Sequence, residues 1–544
     1  MFFVCLDSNK TQDYVFSSAR LRGIRNASRL LEDADRSAEQ LITLHHGRCI
    51  RALGAVIIAE FDSDDDASKF VSEAMGTYRR HGISIEAAKI EINKPTGLNF
   101  YKDVITKLLR DLRKKKDSPK SIQPNPPSTI LAANCELSGL GSANQLVKRG
   151  PEVWRASSIE YKKWTLREED EQAITILQNV SSKWGVDSGE LTFGFPKTEE
   201  GIVGWNTEDL EDTKAKPGSS EARLLGMIFA DVNGLGDLLP EIAADKNIYK
   251  SFAHDLRQCL FDSVAQGVAE VFRQAMQVRT KTASHNLALP FRLLYLGGDD
   301  LCFLVLGAYA LPLIHEIISN FEQRTEQLIE CVQNELPQAT LPSHLTLSAG
   351  VVLAPYKYPI LLFRQLGLEL EAHAKLCGRA WAKLHSRLTG TEIYPPSLVD
   401  YYLVKNNAAG GLDQVRTVLK KNDVDLFGGP YWAGLTSPDN NKRFEGLPKL
   451  LSVAESLADF SAGRKLKLLP AILSGDNAQL LYQDWWDHLD KGQQVITWQT
   501  VLNTLNLPNG RDLLPIGPNN MTTILDALDM IPLEELRQRW EKQL

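Results

Sequence analysis

Two acidic motifs in the middle of the chain have the composition and spacing of a metal-dependent catalytic site. In residues 227–237 (MIFADVNGLGD), an apolar strand ends in Asp231, and a glycine-containing turn then leads into a helix. The second motif, Gly297-Gly298-Asp299-Asp300, lies between two apolar segments, 291–296 and 301–306, that read as the strands of a hairpin. Adjacent carboxylates repel each other, so the Asp-Asp pair costs stability unless a cation compensates it.

The order of the surrounding elements predicts that the two motifs meet. Residues 221–390 read strand, helix, strand, strand, helix, strand, which is the ferredoxin-like pattern. The first strand of that fold lies beside the third, so we expect Asp231 and Asp300 to approach each other. Carboxylate oxygens are ligands that suit Mg²⁺ or Mn²⁺. We therefore expect two such ions at Asp231, Val232, Asp299 and Asp300, with the three aspartates as the catalytic residues.

Nucleotidyl transfer is the chemistry that such a site performs, because two divalent ions would activate a 3′-hydroxyl and neutralise a leaving pyrophosphate. Backbone N–H groups after Asp231 could hold a triphosphate at the helix N-terminus, and the paired glycines of the hairpin can adopt positive φ. Ser348 either lets a base lie against the sheet or serves close helix packing. Lys375 is either a triphosphate ligand or a solvated helix lysine. The candidate nucleotide-binding residues are Gly234, Gly236, Gly297, Gly298, Ser348 and Lys375.

Periodicity and composition divide the chain into four segments. The first repeats the alternation of apolar strands and amphipathic helices. The second contains a basic, proline-broken stretch from Lys114 to Pro127 and a polar stretch from Lys197 to Ser220. Beyond Pro395 the pattern is helical, without a clear strand signal. The expected fold class is α+β, with two ferredoxin-like domains at 1–105 and 221–390, a helical linker and mixed region at 106–220, and a helical C-terminal domain at 391–544.

Composition restricts the class of protein further. The seven cysteines are scattered and include no C-x-x-C pair, which argues against a disulfide framework and against a thiolate zinc site. No apolar run approaches the ~20 residues that span a bilayer, so no membrane partner is expected. The N-terminus reaches Asp7 too early for a signal peptide. We therefore expect a cytoplasmic protein, whose net charge of −7 gives no global signal for nucleic acid.

These motifs resemble the second palm domain of the large, polymerase-cyclase subunit of type III CRISPR effector complexes. The family's later Ser-Ala-Gly strand and lysine-bearing helix correspond to residues 347–351 and 372–375, and residues 12–28 are similar to its first palm. Residues 428–431 show a fainter likeness in the C-terminal region. The resemblance implies an enzyme that joins ATP molecules 3′ to 5′ into cyclic oligoadenylate when an RNA target is recognised. It also implies, as partners, the other subunits of the complex with guide RNA and target RNA.

Three departures from the family pattern modify these expectations. The chain starts directly on the first palm, so we expect no His-Asp nuclease domain. Only residues 135–139 remain of the zinc-binding segment that usually lies between the palms, so we expect no zinc. The first palm has Arg51-Ala-Leu-Gly-Ala-Val56 where the second has its acids. We therefore expect it to be degenerate, supplying shape and contacts for a second nucleotide rather than metal chemistry.

Other functions remain open at this stage. A GGDEF-type diguanylate cyclase is the nearest enzyme class, although its turn prefers Gly-Gly-Asp/Glu-Glu-Phe and it needs no degenerate partner domain. An inactive scaffold that holds other subunits and guide RNA is the alternative from a different class, although an idle site has no reason to keep a repulsive cluster at Asp231, Asp299 and Asp300. A template-copying polymerase is less favoured, because no thumb or fingers pattern is evident.

Overall fold

The computed structural model describes most of the chain, with several gaps. The described residues are 1–8, 11–18, 20–92, 99–117, 133–139, 141–149, 152–166, 170–198, 201–204, 224–273, 287–355, 358–404, 411–418, 420–421, 424–425, 427–435, 446–458, 460–472, 477–489, 492–516 and 523–529. Most of the proline-rich stretch before Pro127 and most of the polar stretch 197–220 lie outside these residues. Within the described segments, none of the helices combines the length and the apolar character needed to cross a membrane.

The N-terminal domain has the ferredoxin-like topology that the sequence predicts. Its four strands are antiparallel and lie in the order β2-β3-β1-β4. Apolar residues recur along one side of α2, which buries that side on the sheet. Ser63 caps α3 by accepting from two backbone N–H groups. The elements are β1 (Phe2–Ser8), α1 (Thr11–Val15), α2 (Leu21–Leu44), β2 (Arg48–Leu53), β3 (Val56–Phe61), α3 (Asp64–Arg80) and β4 (Ile85–Glu91).

The segment between the two domains combines helices with short strands. Its strands are short and carry charged residues, which hides them from periodicity. Arg25 of α2 anchors the segment by donating from Nε to Asp170 at 2.6 Å. After a π-helical turn at Tyr101–Ile105, the elements are α4 (Thr106–Lys116), β5 (Gln145–Arg149), β6 (Glu152–Ala156), α5 (Ser158–Thr165), α6 (Glu171–Trp184), β7 (Leu191–Thr198) and β8 (Gly201–Gly204).

The second domain repeats the ferredoxin-like topology, and the predicted α+β class is confirmed. Its strands lie in the order β11-β12-β9-β13, and all of these neighbours are antiparallel. A further helix, α10, follows the last of them. The elements are β9 (Leu224–Val232), α7 (Leu235–Ile242), α8 (Lys246–Val271), β10 (Leu287–Leu289), β11 (Phe291–Leu296), β12 (Asp300–Leu306), α9 (Gly307–Glu335), β13 (Leu347–Pro355) and α10 (Ile360–Thr389).

The two domains share a hydrophobic core on one face of the second sheet. Along β9, Ile228 and Ala230 pack into a core that includes α8 and α9. The alternate residues, Met227 and Phe229, pack instead with α10 and with the first domain. The rings of Phe16 and Phe229 lie 5.6 Å apart, centroid to centroid, across the domain boundary. The strand therefore reads as continuously apolar because both faces of its sheet are covered.

The expectation that residues beyond 395 contain no strand is wrong. Residues 398–403 extend the second sheet by pairing parallel to β13, and residues 431–432 pair with them in turn. The buried Asp400 interrupts the apolar pattern of this strand and hides it in the sequence. The elements are β14 (Leu398–Leu403), α11 (Leu412–Val418), β15 (Lys420–Lys421), β16 (Val424–Asp425), β17 (Tyr431–Trp432), α12 (Leu447–Ala458), α13 (Ala462–Ile472), α14 (Ala478–Asp487) and α15 (Gln493–Thr504).

A buried carboxyl group ties the C-terminal helical region to this extended sheet. Asp526 accepts hydrogen bonds from the backbone N–H of Gly428 at 2.8 Å and from the hydroxyl of Tyr431. The Tyr401 hydroxyl donates to the carbonyl oxygen of Asp526 at 3.3 Å. Burial raises the pKa of Asp526 from 3.8 to about 7, although both hydrogen bonds to its side chain oppose the shift. The folded protein therefore holds this proton more tightly than the unfolded chain does.

We expect Asp526→Asn to weaken the pH dependence of stability. The contribution of Asp526 is fully present below pH 3.8 and is lost as the pH rises through about 7. Each pKa unit corresponds to about 1.4 kcal/mol, so the effect is on the order of a few kcal/mol. Asparagine can accept the same hydrogen bonds without ionising. Thermal unfolding at pH 5 and pH 8 should show a smaller difference in Tm for the variant than for the wild type. Equal differences would contradict the prediction.

Candidate active site

The register of the second sheet places two acids directly opposite each other. Asp231 is the penultimate residue of β9, and Asp300 is the first residue of β12; the two are paired across the antiparallel ladder. Opposed residues in a ladder project from the same face, with Cβ atoms about 5 Å apart. The backbone N–H of Val232 donates to the carbonyl oxygen of Asp299 at 3.3 Å, which closes the same edge. The predicted meeting of the two motifs is therefore present.

The structure gives Gly297 of the hairpin a steric reason rather than a need for positive φ. Neither Gly297 nor Gly298 lies in the left-handed region, so that expectation is wrong. A Cβ atom on Gly297 would lie 2.4 Å from the hydroxyl oxygen of Tyr295, and one on Gly298 would lie 3.0 Å from a guanidinium nitrogen of Arg51. The N–H of Gly297 donates to the carbonyl oxygen of Asp300 at 2.8 Å and so holds the turn.

A fourth carboxyl group, Glu371 on α10, joins the three aspartates. Burial, followed by repulsion from Asp300 and Asp299, raises the pKa of Glu371 from 4.5 to about 8. Burial, followed by repulsion from Asp299, also raises the pKa of Asp300, to about 6. Sequence reasoning missed Glu371. The available signal was its position four residues before Lys375, which places both residues on one side of the helix.

Lys375 reaches the acidic edge from α10. Its ammonium group contacts the Oδ2 atom of Asp231 and lies 2.9 Å from a carboxylate oxygen of Glu371. Burial, and then repulsion from Arg379, lowers the pKa of Lys375 to about 8. One cation is thus shared between two carboxylates. Lys375 is therefore not a simply solvated lysine. To bind a nucleotide, its ammonium group would first have to leave these two carboxylates.

The first domain also contributes side chains to this edge. The amide nitrogen of Gln12 donates to Asp300 at 3.4 Å, and this bond opposes the rise in the aspartate's pKa. Arg51 lies against the turn at Gly298. Gly54 also lies close to this turn, because a Cβ atom on Gly54 would be 3.6 Å from the backbone nitrogen of Gly298. The sequence gave a signal for Gln12 and for Arg51, because the first belongs to residues 12–28 and the second to residues 51–56, the two first-domain segments noted in the sequence. Their contact with the second domain was not foreseen.

The glycine turn after Asp231 leads into α7 as expected. Gly234 has a φ of +71° and stands immediately before the helix, where a left-handed residue favours glycine. A Cβ on Gly236 would meet nothing within 4 Å, so the described residues leave this first turn open to approach. The role of both glycines in holding a triphosphate remains a prediction. Asp237 adds a negative charge to the same turn, which weakens its attraction for anions.

Ser348 does not face an open site. Its side chain is 0 % exposed, and its hydroxyl donates to the Oδ1 atom of Asn233 at 2.8 Å. The nearby Gly350 lies against the backbone of α10, where a Cβ would come within 2.2 Å of the carbonyl oxygen of Gly367. Close helix packing accounts for both small residues. The alternative in which a base lies against Ser348 is not supported by this arrangement.

The donor set fits a divalent cation in its chemistry, although the carboxylates do not form a ready cluster. Among the described residues, no three His, Cys, Asp or Glu side chains stand close enough together to hold a metal ion. However, the Oδ1 atom of Asp231 is buried and accepts no hydrogen bond from the described part of the chain. A buried carboxylate oxygen without a hydrogen-bond partner is a group whose cost of burial a cation would offset. The groups that could hold it are Asp231, the Val232 carbonyl, Asp299, Asp300 and Glu371.

Comparison with known proteins finds one family whose model matches the second domain. Residues 224–380 match the family model described as Cas10/Cmr2, second palm domain. No curated protein matches the chain significantly.

Several solved structures are similar to the chain over most of its length. They include a Csm1-Csm4 cassette in complex with cA3 (13 % identity, TM-score 0.46) and one in complex with cA4 (12 % identity, TM-score 0.45). Csm1 in T. onnurineus is a third (14 % identity, TM-score 0.43). Each similarity covers 98 % of this chain and 69 % of the other chain.

The family match spans β9 to α10, and it therefore contains both acidic motifs, Glu371 and Lys375. Its bounds agree with the ferredoxin-like unit that the sheet order defines. Residues 224–380 of the chain are therefore similar to the second palm domain of Cas10/Cmr2.

Proposed function

We propose that the chain is a Mg²⁺- or Mn²⁺-dependent nucleotidyltransferase that joins ATP 3′ to 5′ into cyclic oligoadenylate. We further propose that it works in the cytoplasm as the large subunit of a type III CRISPR complex, with other subunits, guide RNA and target RNA as partners. The observation that carries the proposal is the cross-strand pair of Asp231 and Asp300 within a Cas10/Cmr2 second palm domain. Csm1-Csm4 cassettes, to which the chain is similar, have been solved in complex with cA3 and with cA4, so adenylate products are tested first.

Under this proposal, one group of residues holds the divalent ions. Asp231, Asp299 and Asp300 would hold the divalent ions, with the carbonyl of Val232 and the carboxyl of Glu371 within the same set of oxygens. Divalent ions bound there would acidify a 3′-hydroxyl and neutralise the charge that develops on a leaving pyrophosphate.

The remaining residues position the nucleotide and adjust the local charge. The backbone N–H groups of the open first turn at Gly236 would donate hydrogen bonds to phosphate oxygens. Lys375 would exchange its carboxylate partners for a triphosphate, since its ammonium group already lies against Asp231 and Glu371 at this edge. Among the described residues at this edge, no side chain stands out as a dedicated base for the 3′-hydroxyl.

A catalytically silent scaffold is the second candidate, and one observation favours it. Lys375 contacts Asp231 and Glu371 at the position where a cation is expected. In a scaffold, this lysine would neutralise the acids permanently. The two candidates differ in whether a divalent ion can enter the cluster.

We expect Asp299→Ala combined with Asp300→Ala to abolish product formation. Loss of the charges that stabilise the transition state lowers the rate by at least about 10² to 10³-fold. Folding should survive, because removing adjacent carboxylates relieves repulsion. The protein, purified with its associated RNA and subunits, is incubated separately with labelled ATP and labelled GTP in Mg²⁺ or Mn²⁺. Mass spectrometry then identifies the products.

The matched control is Asp64→Ala combined with Asp65→Ala, which removes another adjacent pair. These two side chains are 59 % and 70 % exposed and lie on α3 of the first domain. The control should retain wild-type turnover. Product from GTP alone would replace the proposal with a diguanylate-type cyclase. Turnover by the Asp299/Asp300 variant at the wild-type rate would remove these acids from the mechanism.

We expect Mn²⁺ to raise the thermal stability of the wild type but not that of Asp231→Asn. A ligand at 100 times its Kd stabilises the folded state by about 2.7 kcal/mol. Asparagine removes the charge that an ion at this edge requires. Differential scanning fluorimetry with and without Mn²⁺ measures the shift in Tm. If the wild type shows no shift while Asp231→Asn is destabilised, Lys375 is the permanent counter-charge and the scaffold is favoured.

A further inference from the structure

Arg51 brings a positive charge from the first domain to the acidic turn of the second. It lies on β2, and its Nη2 atom packs against Gly298, where a Cβ would come within 3.0 Å of it. The Nη1 atom donates to the hydroxyl of Tyr249 on α8 at 3.2 Å. The Nε atom is buried and donates to none of the described residues. One hydrogen bond therefore fixes the guanidinium, and further donor capacity remains beside the turn.

The groups around Arg51 determine the charge state of its guanidinium and include one carboxylate of the acidic cluster. Burial lowers the pKa of Arg51, but interactions with Tyr249 and then with Asp299 and Cys5 raise it overall, so the guanidinium stays charged. Asp299 is the carboxylate among these partners. It also lies beside Asp300 and contributes to the raised pKa of Glu371. Arg51 is thus a positive charge of the first domain beside the part of the cluster that Lys375 does not contact.

Packing alone does not explain an arginine at this position. Removing a guanidinium from water is costly unless good ionic and hydrogen-bonding partners offset the loss of hydration. The neighbouring core residues on this face of the first sheet, such as Ile50 and Ile58, are apolar. Arg51 is half-buried, and a methionine or leucine would cover the same apolar side chains without removing part of a charge from water. The positive charge of Arg51 therefore requires an explanation other than packing.

We propose that Arg51 is a positioning residue for the nucleotidyl-transfer site of the second domain. It fixes the turn at residues 297–300 across the domain boundary and offsets the charge of Asp299. A residue of the first domain, which lacks the catalytic acids, thereby adjusts the net charge of the site in the second domain. This inference rests on the proposed function for the reaction that it affects, but the effect of Arg51 on cation binding is independent of turnover.

The experiment compares Arg51→Gln, Arg51→Lys and Arg48→Gln in the full-length protein with its associated subunits and RNA. Arg48 is the matched control, because it lies on the same strand but is 52 % exposed and pairs with Glu60 and Asp62. Two quantities are measured: the kcat for product formation from ATP, and the affinity for Mn²⁺ without nucleotide, by electron paramagnetic resonance. Thermal unfolding establishes that each variant is folded.

We expect Arg51→Gln to lower kcat by about 10 to 100-fold, as for residues that orient metal-ligand groups. The same change should tighten Mn²⁺ binding several-fold, because a nearby positive charge has been removed. Arg51→Lys keeps the charge but loses the planar fork, so it should retain wild-type Mn²⁺ affinity with an intermediate kcat. Arg48→Gln should match the wild type in both quantities. A purely structural role predicts loss of rate without tighter Mn²⁺ binding.

Each outcome either supports or overturns the assignment. If Arg51→Gln has wild-type kcat and wild-type Mn²⁺ affinity, or a lower kcat with unchanged affinity, Arg51 is not the counter-charge. If the wild type turns over no nucleotide but Arg51→Gln still binds Mn²⁺ more tightly, the proposed function fails while the assignment of Arg51 stands. If Arg51→Gln does not fold, Arg51→Met, which also removes the charge, takes its place: tighter Mn²⁺ binding with lowered kcat supports the assignment, and unchanged Mn²⁺ affinity overturns it.

Discussion

Repulsion among carboxylates at one cross-strand position governs the structure around it. The sheet register sets Asp231 opposite Asp300, and like charges placed directly opposite each other destabilise a ladder. The surrounding elements respond with polar partners from three directions. Lys375 arrives from α10, Gln12 from the start of the first domain and Arg51 from its hairpin. The position of each of these elements is therefore coupled to the charge of the acidic edge.

The order of elements and the contact of the two motifs could be predicted from the sequence, because strand order in a ferredoxin-like unit follows from element order. Other features could not, since they depend on contacts between distant segments. Glu371 joins the acids only because α10 crosses their edge of the sheet. The steric need for Gly297 arises from Tyr295, which sits two residues earlier but folds back across the turn. Burial of Ser348 depends on Asn233 and on the helix above it.

The strand that periodicity missed shows a second limit of sequence reasoning. Asp400 is fully buried in β14, where it accepts from His373 Nδ1 at 2.7 Å and from Arg416. A charged residue in the centre of a six-residue segment reads as a surface position when its partners are unknown. Here the partners come from α10 and α11, one on each side in the sequence. Buried charges of this kind are recognisable only after the neighbouring helices have been placed.

The apolar face shared by the two domains has a consequence for how this chain can vary. Phe16 and Phe229 belong to different domains, yet they fill one continuous volume, so a change of size in either must be matched in the other. Neither domain can be exchanged alone for a homologous one without leaving voids or overlaps at this surface. A chimera that exchanges only one of the two domains is therefore expected to lose stability unless the residues of this shared face are exchanged with it.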